Sequence, residues 1–321
     1  VSTRRVAVLL GGRSSEHEIS LASARSVVGG LREAGFEVVP IEISPDGRWG
    51  IDAARPDELL AGFDVAFPAL HGPFGEDGTV QGLLELAGIA YVGAGVTASG
   101  LAMDKDLFKA VMRDKDIPVT RSVTLRAGHA GRVESPFGFP VVVKPARLGS
   151  SYGISIVRSE EALDDAVELA FAHDEKVLVE EYIGGVEVEC SVLGNEQPVA
   201  SVPGEIVPLL ADWYDYASKY EEGGMELFVP ARISPEQTER VRELAVASFL
   251  ASDCEGMARV DFFVREDGEV LVNELNTIPG FTHTSVYARL FEASGVPYVE
   301  LLRRLVELAL ERHERRRALR Y

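Results

Sequence analysis

One stretch near the C-terminal end, RVDFFVREDGEVLVNELNTIPG from Arg259 to Gly280, constrains the fold more than any other. Asp267-Gly268 separates two apolar, strand-forming runs, and an Asp-Gly pair tolerates the positive φ that a tight hairpin turn demands. A two-residue loop sets Asp261 opposite Glu274 and Arg259 opposite Asn276. Side chains alternate along a strand, so all four project from one face, beside Phe263 and Val272. Directly opposed carboxylates repel. The pattern therefore calls for a positive group between them or for a face open to water. Asp261, Glu274 and Asn276 together offer five side-chain oxygens. That donor set suits Mg²⁺ with positions left for phosphate. A half-wet antiparallel sheet with a solvated polar face stays open on this stretch alone.

The N-terminal part has a different rhythm. RVAVLLGG (Arg5 to Gly12) is an apolar run ending in a glycine pair, and SSEHEISLASARSVVGGLREAG follows with helical spacing at Ile19, Ala24, Val27 and Leu31. FEVVPIEI (Phe36 to Ile43), FDVAFPAL (Phe63 to Leu70) and IAYVGAG (Ile89 to Gly95) read as further strands, which predicts a parallel α/β domain. The spacing then predicts one helix over Thr97 to Met112, and strands FPVVVKP, GISIVRS and KVLVEEYI around a helix at EEALDDAVELAF. Beyond Gly184-Gly185 come a strand from Val186 to Leu193, a helix from Pro235 to Ala251, the hairpin, and a terminal helix from Tyr298 onward. The expected divisions are 1–96, 97–184 and 185–321, which suits a chain of 321 residues. The segment ADWYDYASKYEEGG lacks periodicity and reads as a loop able to close over a ligand.

Charge excludes some partners. A formal net charge of −19 argues against nucleic acid and against an anionic membrane surface. Any anionic ligand then needs a local cluster of cations or a metal. The tail from Glu311 to Tyr321, with five Arg against two Glu, reads as a solvated helix end. Cys190 and Cys254 have neither disulfide-framework nor zinc spacing, so free buried thiols are expected. With no signal-peptide pattern and no run of membrane-spanning length, a cytoplasmic location is expected.

Three further motifs carry chemistry. LLGGRSSEHE lacks the third glycine of a dinucleotide fingerprint; it sets Glu16 at a helix N-terminus, with Ser14 or Ser15 as alternatives for an ordinary cap. KPARLGSSYG joins Lys144, at the end of an apolar strand, to a Gly/Ser loop whose amides suit phosphate oxygens; a plain hairpin turn is the alternative. EEYIGGVEVE supplies Glu180 and Glu187, either as acceptors for a nucleoside or as a solvated strand end.

In combination and in order, LLGGRSSEHEISL, ALHGPFGEDGTVQG, MDKDLFK, VKPARLGSSYGIS, YDYASKY, GMARVDFF and NELNTIPGFTHTS resemble the D-alanine–D-alanine ligase family of ATP-grasp enzymes, over nearly the whole chain. The resemblance implies an N-terminal α/β substrate domain followed by a two-part ATP-grasp fold that clasps ATP. It implies that Lys105 and Lys144 contact ATP phosphates, that Lys219 reaches the γ-phosphate from the loop, and that Glu180 and Glu187 hold adenine and ribose. Asp261, Glu274 and Asn276 would bind two Mg²⁺, with Mn²⁺ an acceptable substitute.

On the substrate side, Glu16 would hold the ammonium of the first D-alanine, and Arg259 with the Gly280 amide would stabilise the oxyanion. Ser150 and Tyr220 would join Glu16 in a network at the second amine, Ser285 would hold the second carboxylate, and His71 would lie near both substrates. His71 as a purely structural ring, bonded to a loop carbonyl, is the alternative. Within the family a Phe at the Tyr220 place goes with acceptance of a 2-hydroxy acid, so Tyr220 implies a dipeptide product. Tyr152 departs from the small aliphatic residue expected in the glycine loop. A homodimer is expected. A related carboxylate–amine ligase, differing around Glu16, Tyr220 and Ser285, and a silent nucleotide-binding regulator are the competing expectations.

Overall fold

A computed structural model describes residues 3–50, 55–128, 133–149, 152–209 and 224–320. The expectations for Ser150, Lys219, Tyr220 and the closing loop at 213–220 lie outside these residues. The chain opens with β1 (Arg5–Gly11), α1 (His17–Glu33), β2 (Glu37–Ile43), α2 (Pro56–Leu60), β3 (Val65–Pro68), α3 (Thr79–Leu86) and β4 (Ala90–Tyr91). Helices α4 (Val96–Met103) and α5 (Lys105–Asp114) lead to β5 (Ser122–Arg126), β6 (Val141–Pro145), β7 (Ser155–Val157), α6 (Leu163–Phe171) and β8 (Lys176–Glu181). Then follow β9 (Val186–Gly194), β10 (Val199–Ala200), β11 (Gly204–Pro208), β12 (Met225–Phe228), α7 (Pro235–Ala251), β13 (Gly256–Val264), β14 (Val270–Asn276), α8 (Val286–Ala293) and α9 (Tyr298–Arg317).

The first sheet, in order β2-β1-β3-β4, is parallel. Strand β1 is apolar along its length because both its faces are covered. Val6 and Val8 pack with Val27 and Leu31 of α1 and with Leu301 and Leu305 of α9. Ala7 and Leu9 turn to the other side, toward Leu60 and Leu84. The C-terminal helix is thus part of the N-terminal core. Its approach to α1 depends on Gly30, where a Cβ would run into Leu302 and stand 3.0 Å from Tyr298 Cε1.

Two antiparallel sheets face each other across a cleft. In the sheet β5-β8-β6-β7, Val141, Val143, Val177 and Val179 bury against Leu163 and Val167 of α6. The alternate residues Val142, Lys144 and Glu180 line the cleft. In the sheet β12-β11-β9-β13-β14, Val188, Val260, Phe262 and Val272 bury against Val241, Leu244 and Phe249 of α7. Its other face presents Glu187, Glu189, Asp261 and Glu274 to the cleft. The architecture is the expected one: a parallel α/β unit followed by two α+β units.

Several local expectations need correction. The helix expected over Thr97 to Met112 is two helices, because Asp104 adopts an extended conformation (φ −87, ψ 95) and caps α5 through its carboxylate, which accepts from Leu107 N. The strand expected over Ile89 to Gly95 reduces to Ala90–Tyr91. Strands β5, β11 and β12 and helix α8 were not anticipated.

The hairpin loop has three residues, 266–268, closed by Arg265 N donating to Glu269 O at 2.9 Å and Gly268 N to Arg265 O at 3.0 Å, with Gly268 at φ 96. That shifts the register by one, so Phe262 faces Val272 and Phe263 faces Leu271. A bulge at Asn273 shifts it back, and Asp261 faces Glu274 and Arg259 faces Asn276 as expected.

Nor is the arginine tail a solvated helix end. Arg312 is buried, with Nη2 donating to Tyr91 O at 2.8 Å and its guanidinium 4.3 Å from the Tyr91 ring. Arg316 pairs with Glu85 at 2.5 Å, and Arg315 pairs with Glu255. The last helix is tied down because its basic residues meet carbonyls and carboxylates of the first domain and of the β13 approach.

Candidate active site

The cleft, a cavity of about 340 Å³, lies between the β6–β8 face and the β9–β13–β14 face. On the second face Arg259 spans Asp261 with two contacts of 2.7 Å, and its Nε also lies 2.9 Å from Glu189 Oε2. Asn276 Nδ2 donates to Asp261 at 3.0 Å. Opposite, Lys105 reaches Glu274 at 3.3 Å and donates to Leu148 O at 3.0 Å, which ties α5 to the loop after β6. The opposed carboxylates therefore already have cations of the chain itself beside them. Because the bulge turns Asn273 toward the cleft along with Glu274, Lys144 Nζ meets Asn273 Oδ1 at 3.3 Å.

Beneath the first face lies a buried charge cluster. Glu180 is bracketed by Lys144 at 2.8 Å and Lys109 at 3.0 Å. Burial pushes the Glu180 carboxyl up, but Lys109 and Lys144 together outweigh it and hold the group below the usual carboxylate range. Burial brings the Lys109 amine down to about 8 against the pull of Glu180. Two lysines occur in core positions because α5 turns Lys105, Phe108, Lys109 and Met112 inward at helical spacing.

Beyond Gly149, which lines the cleft, stand the N-terminal loops. Gly11 and Gly12, both with positive φ, turn the chain from β1 into α1, whose N-cap is Glu16. Ser14 does not cap the helix; its hydroxyl donates to His71 O at 2.6 Å and accepts from Glu16 N at 3.2 Å. The Glu16 carboxylate is buried and sits close against Gly72 and Gly149: a Cβ at those positions would stand 2.9 and 3.3 Å from Oε1. This brings the tip of the β6–β7 loop onto Glu16.

His71 bonds through both ring nitrogens. Nδ1 lies 3.1 Å from Ile278 O, and a carbonyl only accepts, so Nδ1 carries the proton and Nε2 accepts from Ser23 Oγ at 2.9 Å. Burial keeps the ring below ordinary histidine basicity, over the opposing charge of Glu16. His71 thus links the first domain to the segment after β14. Glu76 accepts from Gly72 N at 2.8 Å, and burial, then the charge of Glu16, push its carboxyl up to about 8. Ser285 N-caps α8, its hydroxyl accepting from Thr282 N at 3.0 Å. Gly280 lies beside it, where a Cβ would stand 3.3 Å from Ser285 Oγ. A helix N-terminus with a hydroxyl suits a carboxylate.

Among the described residues no trio of His, Cys, Asp or Glu converges on a metal position. A cation here would take two carboxylates and an amide from Asp261, Glu274 and Asn276, with phosphate oxygens completing its shell. Mg²⁺ is commonly held that way and rarely by an all-protein cage, so the donor set fits.

Comparison with known proteins agrees with this geometry. The family description D-ala D-ala ligase N-terminus matches residues 5–59 and 50–94, and D-ala D-ala ligase C-terminus matches residues 111–307. A D-alanine–D-alanine ligase of Deinococcus radiodurans is 48% identical over 336 residues, covering 96% of this chain and 99% of that protein. The chain belongs to the D-alanine–D-alanine ligase family. Another ligase of that name, from Solibacter usitatus, is 46% identical over 99% of this chain and 98% of its own length. The solved D-alanine-D-alanine ligase from Coxiella burnetii superposes with a TM-score of 0.86 at 38% identity, covering 99% of this chain and 97% of that one. The VanG D-Ala:D-Ser ligase from Enterococcus faecalis superposes with a TM-score of 0.84 at 35% identity, covering 96% and 100%.

Of the residues that the ligase resemblance singles out, Lys105, Lys144, Glu180, Glu187, Asp261 and Glu274 line one cleft. Arg259 and Asn276 contact that set, and Glu16, His71, Gly280 and Ser285 cluster at its N-terminal end. Sequence reasoning missed Lys109, Glu76, Glu189, Asn273 and Ser23. Lys109 had a signal, a lysine in the buried stripe of an amphipathic helix. Glu189 had one too, two residues after Glu187 on the same strand face. Asn273 had none, because a bulge breaks the period-two count.

Proposed function

We propose that the chain joins two molecules of D-alanine into D-alanyl-D-alanine at the expense of ATP, supplying peptidoglycan precursor synthesis. A carboxylate oxygen of the first D-alanine attacks the γ-phosphorus, the bond to the β–γ bridging oxygen breaks, and ADP and an acyl phosphate form. The amine of the second D-alanine then attacks the acyl carbon. The tetrahedral intermediate expels inorganic phosphate, and the amine proton leaves.

Residue roles follow the charge. Lys105 and Lys144 hold the ATP phosphates from the first face and Lys219 meets the γ-phosphate, while Glu180 and Glu187 receive the adenine amino group and the ribose. Two Mg²⁺ ions, for which Mn²⁺ substitutes, would be held by Asp261, Glu274 and Asn276, and would supply neutralisation of the charge on the transferring phosphoryl group. Glu16 holds the first ammonium, Arg259 with the Gly280 amide meets the oxyanion, and Ser285 holds the second carboxylate. Ser150 and Tyr220, with Glu16, direct the second amine, and His71 lies beside the substrates. In this reading residues 1–96 form the substrate domain, while 97–184 and 185–321 form the two ATP-clasping parts. The enzyme works in the cytoplasm as a homodimer, without nucleic-acid or membrane partners. Among the described residues no helix is long and apolar enough to cross a membrane.

What carries the reading is one observation: Lys105 and Lys144 stand across a single cleft from the Asp261–Glu274 face, and Gly149, which lines that cleft, lies against the buried Glu16. The likeness to a D-Ala:D-Ser ligase favours a second reading in which D-serine is the second substrate. The test is ADP release with D-alanine alone and with D-serine or D-lactate added, followed by product analysis. D-alanyl-D-alanine from D-alanine alone supports the first reading. ADP release only in the presence of D-serine replaces it with the second, and no ADP release with any of them rejects both.

A further inference from the structure

Lys109 has no part in the mechanism above, yet it is the most deeply buried charged side chain of the cleft wall, with no exposed surface. It does not line the cavity, so it cannot touch a ligand there. Its ammonium instead lies 3.0 Å from Glu180 Oε1 and donates to the Thr120 hydroxyl, which itself stands 3.4 Å from Glu180 Oε2. The other side of Glu180 is held by Lys144 at 2.8 Å. Of these three charged groups only Lys144 and Glu180 border the cavity, beside an apolar slot formed by Val142, Ile156, Ile183 and Phe263. A slot of that kind, with a carboxylate at its edge, takes a flat base and offers an acceptor to whatever the base carries there.

We propose that Lys109 is a positioning residue for base selection, fixing the Glu180 carboxylate so that the cleft takes a 6-aminopurine nucleotide and refuses a 6-oxopurine one. The inference rests on the reading of Glu180 as the adenine contact. An ionised carboxylate only accepts hydrogen bonds. A 6-amino group donates to it, whereas a 6-oxo group sets a second acceptor against the carboxylate, which repels it and leaves the 6-oxo oxygen buried without a donor. Discrimination therefore needs Glu180 to stay ionised and to stay turned to the base. Lys144 alone does not guarantee this, because the triphosphate competes for the same ammonium. Lys109 faces no ligand and is itself clamped by Thr120, so its hold on Glu180 is unchanged when nucleotide arrives.

The test is the binding of ATP and of inosine triphosphate, each with Mg²⁺ and without amino acid, by titration calorimetry on the full chain. The unmodified protein should prefer ATP by about tenfold or more, the value of one good hydrogen bond. Lys109→Met, close in shape but neutral, should bring that preference below about threefold. Thr120→Val loosens Lys109 without leaving a charge unpaired, and should lower the preference by a smaller factor. Glu180→Gln, whose amide also offers a donor to the 6-oxo group, should lower it too. If Glu180→Gln leaves the preference intact, Glu180 does not read the base and the reading beneath the inference fails. If Glu180→Gln lowers it while Lys109→Met and Thr120→Val do not, or weaken both nucleotides equally, Lys109 is merely structural and the inference is overturned. Should Lys109→Met fail to fold, Thr120→Val decides by itself: a lowered preference supports the inference and an unchanged one overturns it.

Discussion

Glu76 gives the sharpest pH prediction. Its carboxyl is pushed from 4.5 up to about 8, first by burial and then by the charge of Glu16, in spite of the hydrogen bond from Gly72 N. A carboxyl whose folded pKa lies above its unfolded value makes the folded state the better proton binder. Stability is then highest below pH 4.5, falls as pH rises through the window from 4.5 to about 8, and levels off above it. A displacement of that size sets a ceiling on the order of 5 kcal/mol. Because the residue is only half-buried, water screens part of this, and about 2 kcal/mol is expected. Glu76→Gln keeps an oxygen for Gly72 N and removes the charge. In ligand-free protein the variant should match the parent near pH 5 and melt about 4 °C higher near pH 8.5. Groups away from Glu76 titrate alike in both proteins, so the difference between the two melting curves reports Glu76 together with its interaction with Glu16. Scanning calorimetry from pH 5 to 9 measures it, and parallel curves across that range would refute the reasoning.

Glu274→Gln should abolish turnover at ordinary Mg²⁺ concentrations while circular dichroism and melting stay near those of the parent; surviving activity sinks the assignment of Glu274 as a cation ligand. Gly30→Val should cost about 1–3 kcal/mol in chemical denaturation, since its side chain meets buried Leu302 and half-buried Tyr298 where α1 crosses α9. An unchanged midpoint would mean that the two helices do not depend on that approach. Tyr220→Phe should gain ligation of D-lactate, most visibly at lower pH, where the amine of D-alanine is more fully protonated. Product ratios in competition across pH test this, and unchanged ratios move the selectivity to other residues.

The elements that were legible in the sequence have strong ends. Helix α7 begins where Ser234 and Gln237 form a reciprocal cap ahead of Pro235, and α9 begins directly after Pro297. Strands β5 and β12 left no signal because most of their residues are half-buried, and without a dry face there is no alternation to read. The hairpin is more instructive. A loop one residue longer than expected and a bulge at Asn273 cancel, so the facing of Asp261 and Glu274 was right although the turn type behind it was not. Residue chemistry told which groups would gather around phosphate. It could not tell that His71 braces Ile278, 207 residues away, or that the arginines of the last helix grip the first domain. Contacts of that range depend on how the units pack, and no local pattern encodes them.

The same geometry explains how so many acids share one cleft. Asp261 and Glu274 face each other, and Glu189 stands beside them on β9. Left alone, such carboxylates would repel strongly in a site that excludes part of the solvent. Arg259 lies on Asp261 and Glu189, and Lys105 lies on Glu274, so each acid already has a counter-charge. Those cations are the groups assigned above to the oxyanion and to the phosphates. A divalent cation held by Asp261 and Glu274 would neutralise those acids in place of Arg259 and Lys105, which would then face the anionic reactants. Under the proposed roles, ligand binding would exchange ion pairs within the cleft and would not create them from fully solvated groups. Much of the desolvation of these charges is already met in the folded chain, where Arg259, Asp261 and Glu274 are largely buried, so mainly their partners would change. Under those roles cation and nucleotide would bind best together, since either alone would leave one set of partly buried charges without counter-ions.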